Sequence, residues 1–247
     1  MSALGKLTAV EAKLFVREPI AVFWGLVFPA TLLLILGLFF PGGREASPDF
    51  GGRRLVDVYA PITLGLALAT LGFATLPAIL ATYRERGVLR RLSTTPVHPW
   101  RLVLAQLVVQ MTLAVLSAVL ALGVGAMVFE IPLPENVPGF VVAFILAAAS
   151  MLAVGLLIGA VAPTTSAGTG IGMAVYFPML FFAGVYFPRD VMPDDLRTVS
   201  DMTPSGAGVQ ALQDTWAGLP LTTSNLLVMA AFAIGAGLLA TLLFRWE

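Results

Sequence analysis

Charged residues are missing from five stretches of this chain, 19–43, 58–83, 102–129, 136–188 and 215–244, and apolar side chains dominate each of them. About 20 apolar residues in a helix, each rising about 1.5 Å, cross the roughly 30 Å hydrocarbon core of a bilayer. Four of the stretches therefore predict one membrane-spanning helix apiece. The remaining one, 136–188, is long enough for two. It carries a polar, breaker-rich patch at its middle, APTTSAGTG at 162–170, whose Pro163 and glycines predict a hairpin. Six spans result, near 20–40, 57–82, 102–129, 138–162, 166–187 and 223–244. Pro29, Pro61, Pro77 and Pro178 fall inside them. They predict kinks rather than breaks, because neighbouring groups in a bundle satisfy the carbonyls a proline frees.

Composition agrees with that pattern. Only 11% of the residues are charged and 58% are hydrophobic, against about 25% charged in soluble domains. Mean hydropathy is +0.93. Such a chain cannot cover itself with polar surface, so the fold class expected is all-α, a polytopic membrane protein in a lipid solvent. The formal net charge is zero, which argues against a nucleic-acid partner. The chain has no cysteine, so disulfides, thiolate nucleophiles and zinc–thiolate sites are excluded.

An even number of spans puts both termini on one side. With the N-terminus inside, nine basic residues face inward and five (Arg44, Arg53, Arg54, Arg189 and Arg197) face outward. Positive charge collects on the cytoplasmic side, so the chain is expected to be multi-pass in the cell membrane with both termini cytoplasmic. Residues 1–18 are not expected to be a cleavable signal peptide: the charged part is too long, and the apolar run that follows is of span length. At about 100° per residue, Lys6, Lys13 and Arg17 share a narrow sector of a helix. Leu4, Leu7, Leu14 and Phe15 lie opposite, interrupted by Glu11 and Glu18. The pattern predicts an interface helix with its basic stripe toward lipid phosphates. An ordinary solvated leader helix is the plainer alternative.

A transporter needs a source of free energy. A phosphate-cradling Walker A loop requires a lysine after a glycine-rich turn, and neither lysine of this chain, Lys6 or Lys13, has one. GTGIG at 168–172 opens a span rather than a strand-to-helix junction, so close helix packing explains it better than nucleotide binding. The span interiors hold no ionisable side chain of the kind ion-coupled carriers use. His98, the single histidine, lies between Pro96 and Pro99 in a loop and reads as a bystander. No metal or triad chemistry is available from this inventory.

Between the second and third spans the charge pattern changes. Arg84, Glu85, Arg86, Arg90, Arg91 and Arg101 crowd a single loop in a chain with 14 basic residues. Residues 84–95 have helical periodicity, with Val88, Leu89 and Leu92 on one side, arginines flanking them and Pro96 ending the run. A short helix that is charged and apolar at once suits a groove on another protein. It equally suits a positive-inside anchor touching lipid headgroups. Physical reasoning alone leaves the two level.

YRERGVLRRLSTTPVHPWRLVLAQL, residues 83–107, resembles the corresponding segment of ABC-2 type exporter permeases. That family commonly shows an acidic residue, a basic residue and glycine, a leucine, and a Thr-Pro step before the third span. Here these are Glu85, Arg86, Gly87, Leu89, Thr95 and Pro96. The segment FPRDVMPDDLRTVSDMTPSGAGVQALQDTWAG, residues 187–218, is also similar: Phe187, Pro188, Met192, Pro193, Thr203 and Pro204 match, with Thr203 where asparagine is more usual. The resemblance extends over the whole chain in span number, order and loop length, and is strongest to small drug-resistance permeases of the daunorubicin type.

The resemblance implies a single transmembrane domain over 1–247, with residues 188–216 forming two short extracellular helices. It implies that two such permease subunits pair, as a homodimer or with a related subunit, and that separate ABC ATP-binding subunits dock beneath them. No cofactor is expected on this chain, ATP and magnesium belonging to the partner. Residues 84–95 become the coupling helix: Arg84, Arg86, Arg90 and Arg91 would meet acidic residues of the ATPase, while Val88, Leu89 and Leu92 fill its groove. The chain itself is then no enzyme but a transport subunit exporting drugs or other hydrophobic or amphipathic molecules. Small residues of the second span (Gly65, Ala67, Ala69, Gly72 and Ala74) and of the fifth (Ala167, Gly168, Gly170, Gly172 and Ala174) would allow close approach at the pairing axis or within the chain. In the outer segment, Asp190, Asp194 and Asp195 are expected at the water boundary, with Val191, Met192 and Leu196 inward. Export of cell-surface glycans is an alternative, with Trp24, Phe73, Tyr176 and the aromatics of 177–187 as candidate channel residues. A membrane-integral enzyme or assembly factor without an ATPase is another.

Overall fold

The computed structural model describes residues 3–40, 42–88, 91 and 100–244. Among them every regular element is helical, apart from one antiparallel bridge between Ala46 and Arg54. Helix α1 (Ala3–Val16) precedes six apolar helices long enough to cross a bilayer. These are α2 (Pro19–Phe39), α3 (Leu55–Glu85), α4 (Trp100–Phe129), α5 (Val137–Val161), α6 (Thr165–Phe182) and, after two short helices, α9 (Thr223–Leu243). The short pair is α7 (Asp194–Asp201) and α8 (Pro204–Trp216).

Helix α3 is the core. Val56, Ile62, Leu64, Phe73, Leu76 and Leu80 are almost wholly enclosed, and α2, α4, α5, α6 and α8 all pack on it. By contrast, α6 and α9 leave most of their length uncovered, with Phe177, Leu227, Ile234, Leu238 and Leu242 turned outward. Helices apolar all round yet bare on one side need hydrocarbon as their solvent.

Side-chain caps set several boundaries. Asn136 accepts from Gly139 N at 3.0 Å, Thr164 from Ala167 N at 3.2 Å and Thr203 from Gly206 N at 3.0 Å. Each satisfies an amide that the first turn of a helix leaves without an intrahelical partner. The α5–α6 connection is thus a tight turn, and Thr203 provides the cap expected of an asparagine at its position. Helix α6 ends at Phe182, earlier than the sequence suggests, because Gly184 reverses the chain at φ +79°.

The membrane prolines act through their surroundings. Pro29 and Pro77 each follow a π-helical turn, Phe23–Val27 in α2 and Thr70–Thr75 in α3. Such turns absorb an irregularity in the backbone hydrogen-bond ladder and re-aim side chains. Glycines then permit close crossings: a Cβ on Gly155 would overlap the Gly72 carbonyl, and one on Gly172 would overlap that of Phe73. Gly65 meets Val209, and Gly168 meets Pro77 and Ala81. These small residues are therefore used within the chain, while Gly170 faces open space.

The segment between α6 and α9 carries the short helices α7 and α8. Met192 is buried, but Val191 and Leu196 are exposed. It is α8 that packs inward, its Ala207, Val209, Ala211 and Leu212 closed against α3 and α5.

Candidate functional site

The last turn of α3 does not begin a separate coupling helix at residue 84. It continues α3 to Glu85, and three successive side chains reach three different parts of the bundle. At about 100° per residue, consecutive positions fan around the helix and can do so. Tyr83 donates its hydroxyl to Glu11 of α1 at 2.5 Å. Arg84 donates to the carbonyls of Gly159, at 3.1 Å, of Ala160, at 2.9 Å, and of Ala162, and lies 5.5 Å from the ring centroid of Phe244 beyond α9. Glu85 accepts from the Thr165 amide at 2.7 Å, while Thr82 and Thr165 share a hydroxyl bond of 3.1 Å.

Each contact has an electrostatic reason. The carbonyl end of α5 carries partial negative charge and unpaired acceptors, which the Arg84 fork takes up. The amide end of α6 carries partial positive charge, which Glu85 meets. Arg84 is thus turned into its own chain rather than outward, as expected for a residue meeting a partner's acids. At the other end of α3, Arg54 does the same for α4: it pairs with Asp57 at 2.7 Å and donates to the Phe129 carbonyl at 2.8 Å.

Beyond Glu85 the chain turns outward. Arg86 ends the helix, Gly87 adopts φ +64°, and the Gly87 amide donates back to the Arg84 carbonyl at 2.9 Å. A left-handed residue at this place suits glycine, which has no Cβ to clash. A new turn starts there, with the Arg91 amide donating to the Gly87 carbonyl at 3.0 Å. Arg86 and Arg91 are exposed, and Val88 is half-buried against the apolar cluster of Leu76, Leu80 and Leu102. Leu89, Arg90, Leu92, Thr95, Pro96 and His98 lie outside the described residues.

Helix α1 lies against α4 and reaches the end of α3 through the Glu11–Tyr83 bond. Lys6, Lys13 and Arg17 are exposed, but the inward stripe contains Glu11 and Phe15, both buried, while Leu14 is exposed. Glu11 is therefore a contact and not an interruption. Burial pushes its carboxyl above the usual range, and the Tyr83 hydroxyl offsets part of that rise. The sequence signal was present: an acid one turn from Phe15, on an otherwise apolar face, needs a donor if buried.

A second feature opens sideways between α2, α3 and α6. It is a cleft of about 760 Å³ with Trp24, Phe28, Met173, Tyr176 and Phe177 among its walls and Glu18 at one end. The size falls within that of small-molecule pockets, roughly 300–1,000 Å³. Both π turns border it, through Trp24 on one side and Thr70, Ala74 and Thr75 on the other. Thr70 and Tyr176 share a hydroxyl bond of 2.9 Å across it. Of the aromatics picked out in the sequence, Trp24 and Tyr176 line this cleft, whereas Phe73 is sealed in the core.

Residues 3–216 match the family described as ABC-2 type transporter. A relative in Bacillus subtilis (strain 168), YvfS, whose name designates a transport permease, is 25% identical over 238 residues, covering 94% of this chain and 93% of its own. YbhR of Escherichia coli (strain K12), whose name designates a multidrug ABC transporter permease, is 24% identical over 139 residues, 56% of this chain and 38% of its own. With six apolar spans in the order described and a family match extending from α1 to the end of α8, the chain belongs to the ABC-2 type transporter family.

Proposed function

We propose that this chain is the membrane subunit of an ATP-driven exporter of hydrophobic or amphipathic molecules, powered by a separate ATP-binding subunit. The observation that carries the reading is the junction at residues 83–85, where the base of the arginine-rich segment is tied to α1, α5 and α6 at once. A partner pushing on residues 86–95 would move these elements together as one body. Helices α3 and α6 form two walls of the lateral cleft and α2 the third, so a push that moved α3 and α6 together against α2 would change its width. The partner, not this chain, would bind ATP and magnesium.

Two copies would face each other in the membrane, both termini on the cytoplasmic side. Exposed Arg86 and Arg91 are the outward cations suited to an acidic groove on the ATPase. The multidrug designation of YbhR supports drugs as one cargo class, and the aromatic, nearly uncharged cleft supports apolar or amphipathic cargo.

The test is charge reversal of Arg86 and Arg91 to glutamate, followed by co-purification with an ABC ATPase encoded beside this chain. Loss of the complex with unchanged membrane insertion is the expected result. Retention of the complex at wild-type yield would remove the docking role.

A further inference from the structure

At the Arg54 end of α3, remote from the coupling segment, the first loop, the turn after α6, and helices α7 and α8 enclose a polar pocket of about 380 Å³. Three arginines from separate stretches converge there: Arg53, Arg189 and Arg197. Like charges brought together in this way repel one another unless carboxylates or a bound anion answer them.

Arg53 is engaged by its own loop, its Nε donating to the Phe50 carbonyl at 3.3 Å, whereas Arg189 and Arg197 are answered only in part. Arg189 pairs with Asp201. Arg197 meets Asp194 at 3.6 Å, but that carboxylate is 96% exposed and water-screened. Its Nη2 donates to the carbonyls of Arg189, at 3.2 Å, and Met192, at 3.3 Å. Meanwhile Nη1 of Arg189 and Nε of Arg197 are closed off from solvent without an acceptor. An enclosed guanidinium N–H lacking an acceptor is an energetic deficit that a ligand oxygen can make good.

Among the described residues of the wall the carboxylate is Asp214, and it is already engaged by Gln210 Nε2 at 2.6 Å and Thr222 Oγ1 at 3.5 Å. Burial raises its carboxyl above the ordinary range, weakening it as a counter-ion. Among the described residues of the lining, three guanidinium groups thus stand against one weakened carboxylate.

We propose that this pocket binds a phosphate group, carried either by a lipid headgroup or by a soluble phosphate ester. Guanidinium forks arriving from three directions suit the several oxygens of a tetrahedral oxyanion better than the two of a carboxylate. The pocket is larger than phosphate alone. Its rim at Ala217 and Leu219, where the chain passes toward lipid-exposed α9, leaves room for an attached glycerol or acyl portion. The proposal does not depend on the transport reading.

The full chain is purified in maltoside detergent and phosphate-free buffer, and thermal unfolding is followed in two titrations. One uses glycerol 1-phosphate and the other short-chain phosphatidylglycerol, with sodium chloride at matched ionic strength as control. Wild type should be stabilised saturably, and R53Q and R197Q should each raise the half-saturating concentration about tenfold, the loss of one charge-assisted contact. R197K should fall between. Stabilisation by phosphatidylglycerol alone identifies a lipid headgroup as the source, and stabilisation by both probes identifies a soluble ester as sufficient. No saturable effect in either titration, or equal half-saturation in wild type and both glutamine variants, overturns the proposal. Arg189 is left intact because its pairing with Asp201 supports the fold.

Discussion

The Tyr83 hydroxyl donates to the buried Glu11 carboxylate at 2.5 Å and so fastens α1 to the last turn of α3. The bond joins residues 72 positions apart, at the point where the chain leaves its central helix for the arginine-rich segment. Because the Glu11 value is raised in the folded chain, docking is fullest where the carboxyl is protonated and weakens as pH rises through the raised value.

Mildly acidic conditions should therefore hold α1 more firmly than neutral ones. Hydrogen–deuterium exchange over residues 3–16 should slow in acid after correction for intrinsic rates. Glu11→Gln should hold α1 at neutral pH as firmly as wild type does in acid, with no remaining pH dependence. Tyr83→Phe should loosen α1 at neutral pH by about 1–3 kcal/mol, the cost of leaving a buried acceptor unmade. Unchanged exchange in that variant would dismiss the latch.

Arg84 has a different task. Substitution by alanine strips the donor from three carbonyls at the end of α5 and should destabilise the protein by about 1.5–3 kcal/mol, the range for hydrogen bonds to charged groups. Lysine keeps the charge but not the fork and should recover only part. Thermal unfolding of the purified variants in one detergent ranks the three.

The α3–α5 crossing leaves no room for side chains. Gly155→Val should fail to accumulate as folded protein, since even a Cβ there overlaps the Gly72 carbonyl. Gly123→Ala and Gly235→Ala meet open space on helices and should be neutral or stabilising by about 0.5–1 kcal/mol. Yield by fluorescence-detected size exclusion separates the two classes.

Within the cleft, Ala78→Trp should obstruct the space between α3 and its neighbours and, if the proposed export of apolar cargo runs through it, lower that export without lowering thermal stability. Glu18→Gln removes, among the described residues of the wall, the one ionisable group other than tyrosine and should reduce efflux of cationic dyes more than that of neutral ones. Equal losses for both dye classes would show that Glu18 does not select charge.

Much of the fold was legible in the chain. Gaps between charges placed six spans, and Thr203–Pro204 placed the start of α8. The segment after α3 was legible as a concentration of arginine, yet Arg84 was read as outward because its arginine neighbours are. Its true partners, the carbonyls of Gly159, Ala160 and Ala162, carry no side-chain signal at all. Glu11 looked like a fault in an apolar stripe for a similar reason, since only Tyr83, brought beside it by α3, makes its burial tolerable.

By itself, then, the sequence determined that this protein lives in lipid and crosses it six times, because the transfer of a helix into hydrocarbon depends mainly on the residues of that helix. The tertiary structure alone decided which span ends meet. Glycine contacts and π turns set how α2, α3, α5 and α6 cross and rotate, and a rotation of one residue moves a side chain by about 100°. The 83–85 junction, the lateral cleft and the three-arginine pocket all depend on those rotations, so each appears only once the helices are packed.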